Sequence, residues 1–175
     1  MLIGLTGAAG AGKGSVAARL VERHGFREIA FADPLYSAVS AIVALPVQTL
    51  KDRTVKEQPI PWVGKSPREL LQLLGTEFGR RMVKDSIWID LAMRLVDGRT
   101  VISDVRFDNE AQAIRDRGGV IWSVTRLAYS CLAGEAADHE SEAGIDPLMI
   151  GRFISNDGDL AALYAEVDTA VREAT

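Results

Sequence analysis

Gly7-Ala8-Ala9-Gly10-Ala11-Gly12-Lys13-Gly14-Ser15 follows directly on the apolar run Met1–Thr6 and leads into a segment with helical spacing. The interval Gly7-x4-Gly12-Lys13 is that of a strand–loop–helix unit whose backbone N–H groups surround a di- or triphosphate. Glycine is needed because a Cβ would obstruct both the tight turn and the close approach of backbone to phosphate. The helix expected from about Lys13 to His24 would aim its positive end at the anion. Lys13 would reach the β- and γ-phosphates. Gly7, Ala8, Ala9, Gly10, Ala11, Gly12, Gly14, Ser15 and Val16 complete the expected nucleotide-binding set. Gly14 stands where Ser or Thr usually follows the lysine, so the hydroxyl arrives one residue later, at Ser15.

The chain's 175 residues, 47% of them apolar, suffice for one globular domain. The longest apolar stretch, Ala38–Val47, is broken by Ser40 and Pro46 and is too short to cross a bilayer. The N-terminus has no basic region before its strand, so no signal peptide is expected. One cysteine, Cys131, excludes an internal disulfide framework and fits a reducing, cytoplasmic compartment. Residues 51–106 carry eleven Lys/Arg against eight Asp/Glu, whereas residues 127–175 carry two Arg against ten Asp/Glu. A net charge of −4 argues against a nucleic-acid polymer as partner. A basic middle in an acidic chain fits a small polyanion.

Five strands are expected, at about Met1–Thr6, Phe26–Ala32, Thr100–Asp104, Val120–Thr125 and Met149–Ile154, alternating with helices. The first helix places Val16, Ala17, Leu20 and Val21 on one face. Asp33-Pro34 reads as cap and first turn of a helix ending before Pro46. Val47–Lys65 reads as an irregular insertion. Ser66-Pro67-Arg68-Glu69 is a helix start with a reciprocal cap, and that helix is expected to break near Gly75 or Gly79. Asp85 or Ser86 caps a further helix to about Val96, and Asp159–Glu173 is a terminal amphipathic helix with Leu160, Leu163, Val167 and Val171 on one side. This alternation implies an α/β fold: a five-stranded parallel sheet with helices on both faces and ligands at the carboxyl ends of the strands.

Candidate functional residues cluster at those ends. Phosphoryl transfer asks for alignment of two oxygens and neutralisation of charge rather than for covalent help. Ser15 and Asp104, which closes the run Val101-Ile102-Ser103, are candidate Mg2+ ligands. Arg106 faces the same crevice, and Arg126 follows the fourth strand at the start of a polar segment, Tyr129–Gly144, that reads as a lid. Asp33 would orient or deprotonate a phosphate acceptor or touch Mg2+, and its cap role before Pro34 is an alternative that can hold alongside. Arg68 and Arg80 supply bidentate grips for a monophosphate. Arg81, adjacent on a helix, is left to solvent. Trp88 either stacks on a base or packs in the core. His139 and His24 with no nearby cysteine do not make a zinc site.

Taken together, these pieces resemble the deoxynucleoside monophosphate kinases of bacteriophages and some bacterial genomes. The matching segments are Gly4-Leu5-Thr6-Gly7 through Ser15, Phe31-Ala32-Asp33-Pro34-Leu35, Pro67-Arg68-Glu69-Leu70-Leu71-Gln72, Leu74-Gly75-Thr76-Glu77-Phe78-Gly79-Arg80, Trp88, Ile102-Ser103-Asp104-Val105-Arg106-Phe107 with Asn109-Glu110-Ala111, and His139 with Ser141-Glu142. Ile154-Ser155-Asn156-Asp157-Gly158 is a weaker match. The loop with Gly14 and Ser15 also looks like that of adenylate kinase. The resemblance implies a P-loop NTPase fold of the nucleoside monophosphate kinase type. Its core would be residues 1–34, 98–125 and 146–175, with an acceptor-binding insertion at about 35–97 and a short lid at about 126–145. It implies transfer of the γ-phosphate of ATP to a deoxynucleoside monophosphate with Mg2+, in the cytoplasm of the cell or of a phage's host, with no membrane partner. By similarity Arg68, Arg80, Trp88 and Arg106 would belong to the acceptor site; with the residues placed at the strand ends, the expected catalytic set is Lys13, Asp33, Arg106 and Arg126, and Asp33 and Asp104 join the acceptor-binding residues. The lid offers only Arg126, where related kinases often have several cations. Two alternatives stay open: another small-molecule kinase of the same fold, acting for instance on dephospho-coenzyme A, and a nucleotide-binding module without catalysis. Pairing into a homodimer is not decided by the sequence.

Overall fold

A computed structural model describes residues 1–127 and 144–174, the side chain of Arg53 aside. Two compact units share the chain: Met1–Ala30 with Leu95–Thr175, and Phe31–Arg94.

The first unit is built on a five-stranded sheet, β1 (Leu2–Thr6), β2 (Arg27–Ile29), β3 (Thr100–Ile102), β4 (Val120–Thr125) and β5 (Arg152–Ser155). The order is β2-β3-β1-β4-β5 and every pairing is parallel, as the alternation predicts. All five residues of β1 are buried, because a central strand covered on both faces meets no water on either side. α1 (Lys13–His24) packs through Val16, Ala17 and Leu20. α7 (Asp108–Asp116) and the last helix, α8 (Leu160–Glu173), complete the layers. The main core joins Leu5, Leu20, Trp122, Val124, Leu163 and Val167 among others. Gly4 is a close approach: a Cβ there would lie 2.7 Å from Ile114 and 2.8 Å from Ile121.

Expected and observed bounds differ in several places. β2 and β3 are each three residues long, shorter than their apolar runs. β5 begins at Arg152 rather than Met149. Asp146 caps a 3-10 turn, Pro147–Met149, through the Leu148 N–H at 2.9 Å, leaving Leu148 86% exposed. Val21 and Leu160 also face solvent. Asp159 does cap α8, accepting from the Ala162 N–H at 2.8 Å.

The second unit is helical: α2 (Asp33–Val43), α3 (Val47–Lys51), α4 (Arg53–Lys56), α5 (Pro67–Gln72), a π-helix (Leu73–Val83) and α6 (Ile87–Met93). The stretch expected to be irregular therefore holds two short helices and an isolated bridge between Ile60 and Lys65. Ser66 and Glu69 form the reciprocal cap, Ser66 Oγ accepting from Glu69 N–H and Glu69 from Ser66 N–H. Asp33 does not cap α2: Ala32 holds that position with no side-chain bond, and Asp33 is the first helical residue. Nor does the helix break at Gly75 or Gly79. α5 runs on into the π-helix, whose wider i→i+5 ladder ends with Lys84 N–H on the Gly79 carbonyl at 2.9 Å. Tyr36, Val39, Val43, Leu50 and Ile60 form this unit's own core, with Leu70, Leu71 and Leu74 packed on it. No helix among the described residues is long and apolar enough to cross a membrane.

One polar tie joins α1 to α8. Asp168 accepts from Arg19 Nε at 2.9 Å and Nη2 at 2.6 Å, and lies 2.8 Å from His24 Nε2. The Arg19 guanidinium also sits 4.9 Å from the centre of the Tyr164 ring. Bonding to Arg19 first, and to His24 after it, holds the Asp168 carboxyl well below the usual carboxylate range. A carboxyl lowered in the folded state adds stability above its unfolded pKa and loses it as pH falls towards the folded value. Asp168→Asn is therefore expected to lower Tm at pH 7, by about 4–8 °C for about 2 kcal/mol of lost charged hydrogen bonding. In thermal melts from pH 5 down to pH 2.5 the wild-type protein should lose more Tm than the variant.

Candidate active site

Gly7, Gly10 and Gly12 all have positive φ, at 132°, 82° and 111°, conformations that L-residues with a Cβ rarely adopt. At Gly7 the requirement is also steric, since a Cβ would lie 2.2 Å from the Val124 carbonyl oxygen of β4. The loop is thus pressed against the neighbouring strand before it turns into α1. Lys13 opens that helix and folds back over the loop, its Nζ donating to the Gly7 carbonyl at 2.6 Å and the Ala8 carbonyl at 3.0 Å. Ser15 and Val16 lie in the first turn of α1, where helix N–H groups and the helix dipole favour an anion.

The sheet order sets β3 and β4 on either side of β1, so the chain after each strand emerges beside the loop. After β3, Val105 N–H bonds to the Leu5 carbonyl at 3.0 Å, fixing the segment that carries Asp104 and Arg106. Glu110, 3% exposed, closes the turn by accepting from Arg106 N–H at 2.8 Å and Phe107 N–H at 3.2 Å. The Arg106 side chain itself is exposed. After β4, Asp157 accepts from Leu127 N–H at 2.6 Å and Ser155 Oγ–H at 2.7 Å. These bonds, the Leu127 bond above all, and the nearby Arg126 charge hold its carboxyl below the usual range. The strand ends thus place Lys13, Ser15, Asp104, Arg106 and Arg126 in one unit. Among the described residues no group of three or more His, Cys, Asp or Glu is placed to hold a metal.

The second unit holds Asp33, Arg68, Arg80 and Trp88. Asp33 pairs with Lys51 at 3.2 Å, and Lys51 and Lys56 lie 5.0 and 5.8 Å from the centre of the Tyr36 ring. Arg68 pairs with Glu57 at 2.9 Å. On the π-helix Gly75, Thr76, Gly79 and Arg80 share the buried face. Arg80 is 8% exposed and donates to the Asp85 carbonyl at 3.2 Å, with the Asp85 carboxylate at 3.6 Å. Arg81 points outward to Glu77 at 2.7 Å. Trp88 lies on the two glycines: its Nε1–H donates to the Gly75 carbonyl at 2.8 Å, and a Cβ on Gly79 would come 2.4 Å from the indole.

Comparison with known proteins decides the family. Residues 46–167 match the sequence profile described as deoxynucleotide monophosphate kinase. The chain belongs to the deoxynucleotide monophosphate kinase family. That makes it a member of a family of phosphotransferases. It is 31% identical to a putative deoxynucleotide monophosphate kinase of Acanthamoeba polyphaga mimivirus, over 100% of this chain and 98% of the relative. It is 33% identical to the deoxynucleoside-5'-monophosphate kinase of Escherichia phage T5, over 54% of this chain and 40% of that longer protein. Among solved structures, TT1252 from Thermus thermophilus superposes with a TM-score of 0.55 at 21% identity, covering 100% of this chain and 98% of that one, a likeness of fold.

Two residues that brace these segments are not singled out by the sequence. Asn156 reaches the loop, donating from Nδ2 to the Ala11 carbonyl at 2.8 Å, and Asp157 holds the backbone after Arg126. The weak Ile154–Gly158 match was the one signal for either. Cys131, His139 and nearly all of the expected lid lie outside the described residues. Gly79→Ala checks the Trp88 seat. In an ordinary exposed helix the change would stabilise by about 1 kcal/mol. Here the indole must move, so a lower Tm and a shifted tryptophan emission are expected.

Proposed function

We propose that this chain transfers the γ-phosphate of ATP to a deoxynucleoside monophosphate, with Mg2+. The observation that carries the reading is the glycine loop: three positive-φ glycines, Lys13 folded over them and a helix N-terminus behind, in a member of this kinase family.

The loop N–H groups and Lys13 bind the β- and γ-phosphates and hold the leaving group. Ser15 and Asp104 offer a hydroxyl and a carboxylate, hard oxygen donors that fit Mg2+, which favours such oxygens and keeps waters and phosphates as its other ligands. When bound, that ion would neutralise charge on the phosphates. Arg106 and Arg126, carried beside the loop by β3 and β4, stabilise charge on the moving phosphoryl group. In the helical unit Arg68 and Arg80 grip the acceptor's phosphate, Asp33 orients it and Trp88 lends a ring edge to its base. Arg80, held by Asp85, is pre-set for that task, since a guanidinium already fixed loses little freedom on binding. The inserted helical segment is on this reading the acceptor-binding part, and the segment at about 126–145 serves as the lid. This reading sets the enzyme among free deoxynucleotides in the cytoplasm.

A coupled ADP-release assay with ATP, Mg2+ and dAMP, dGMP, dCMP, dTMP or dUMP, beside AMP and dephospho-coenzyme A, tests the reading. Turnover of at least one deoxynucleotide is expected. Turnover of dephospho-coenzyme A alone, or ATP binding with no acceptor turned over, would overturn it. Lys13→Ala should reduce kcat at least a hundredfold. Arg80→Ala should raise KM for the acceptor tenfold or more and KM for ATP by less than threefold, while equal effects would place Arg80 outside the acceptor site.

A further inference from the structure

Between β5 and α8 the chain reads Ser155-Asn156-Asp157-Gly158-Asp159, and nothing in the proposed mechanism uses Asn156. Its backbone N–H is tied to the end of β4 by the Thr125 carbonyl at 2.8 Å. Its amide then reaches a residue 145 positions earlier and donates to the Ala11 carbonyl at 2.8 Å. Gly12 makes room for the contact, since a Cβ there would sit 2.3 Å from Asn156 Nδ2. Ala11 is buried, so a carbonyl left without this donor would have no easy replacement in water. The Ala11–Gly12 peptide is planar and trans, so its C=O and N–H point in opposite directions. Anchoring the carbonyl on Asn156 therefore turns the Gly12 N–H away from Asn156.

We propose that Asn156 is a positioning residue for the phosphate loop: by holding the Ala11 carbonyl it directs the Gly12 N–H towards the bound polyphosphate. The inference rests on the nucleotide-binding reading of that loop. It assigns Asn156 to the phosphates, through the backbone, and not to the base. The neighbouring Asp157, bonded to Leu127 N–H, places the same short segment against the chain after β4, so one turn braces both sides of β4's carboxyl end.

Asn156→Asp keeps the side chain's shape and sets a carboxylate against the Ala11 carbonyl. Calorimetric titration of the full chain with MgATP and with magnesium tripolyphosphate, which has no base, reads the effect. Circular dichroism and Tm report on the fold. The Asp variant is expected to bind both ligands about tenfold more weakly, equivalent to about 1.4 kcal/mol, with KM for the deoxynucleoside monophosphate changed less than twofold. A loss confined to ATP would assign Asn156 to the base and overturn the inference, as would Kd values within twofold of wild type. Should the Asp variant not fold, Asn156→Ala supplies the same comparison without a new charge. A wild-type chain blind to tripolyphosphate also counts against the inference, because the base would then secure the ligand. A wild-type chain that binds no ATP would overturn the nucleotide site itself, a result distinct from either.

Discussion

The contact between Gly7 and the Val124 carbonyl governs the sheet unit. With a Cβ at that point 2.2 Å from the oxygen, either β4 would have to leave β1 or the loop would have to rise off the sheet. β1 and β4 are in register from Ile3↔Val120 to Thr6↔Ser123, so the strand cannot yield without losing its ladder. Removing the side chain at Gly7 lets the loop lie flat on the neighbouring strand. From there α1 starts with its first turn facing the strand ends. Lys13, Ser15 and the segments after β3 and β4 all take their places from that one close approach.

A second absence of side chains organises the helical unit. Gly79 on the π-helix leaves the seat for Trp88, whose N–H finds the Gly75 carbonyl, while Gly75, four residues earlier, makes room for Leu35, 3.0 Å from where its Cβ would lie. The wider helix also sorts the adjacent arginines. Arg80 turns inward to the Asp85 backbone and Arg81 outward to Glu77. A buried guanidinium is tolerated only with hydrogen-bond partners around it, and Asp85 supplies them from the turn before α6.

Features encoded by neighbouring residues were legible in the sequence. The loop between β1 and α1, the cap at Ser66 and Glu69, β4 from Val120 to Thr125 and the outward turn of Arg81 each follow from spacing within a few positions. The π-helix was not legible, because its glycines signal a break until Leu35 and Trp88 are known to fill the space beside Gly75 and Gly79. Met149-Ile150 reads as the start of a strand by composition, yet Asp146 and Pro147 wind the chain into a turn that ends at Met149. Val21 and Leu160 obey the helical period but fall just off the buried faces. Asn156 is touched only by the weak Ile154–Gly158 match, which says nothing of its role, since its partner is 145 residues away.

The tie between α1 and α8 has a consequence for how the protein comes into being. Asp168 and His24 are 144 residues apart, so the helix behind the phosphate loop leaves the ribosome long before the helix that packs against it. At roughly 5–20 residues per second that interval is on the order of 7–30 s. Contacts of such long range also slow folding after synthesis. During that wait the apolar face of α1 has no α8 to lie on, and the nascent chain holds its glycine loop on an unfinished layer. The loop is translated well before α8 and matures only once α8 has docked.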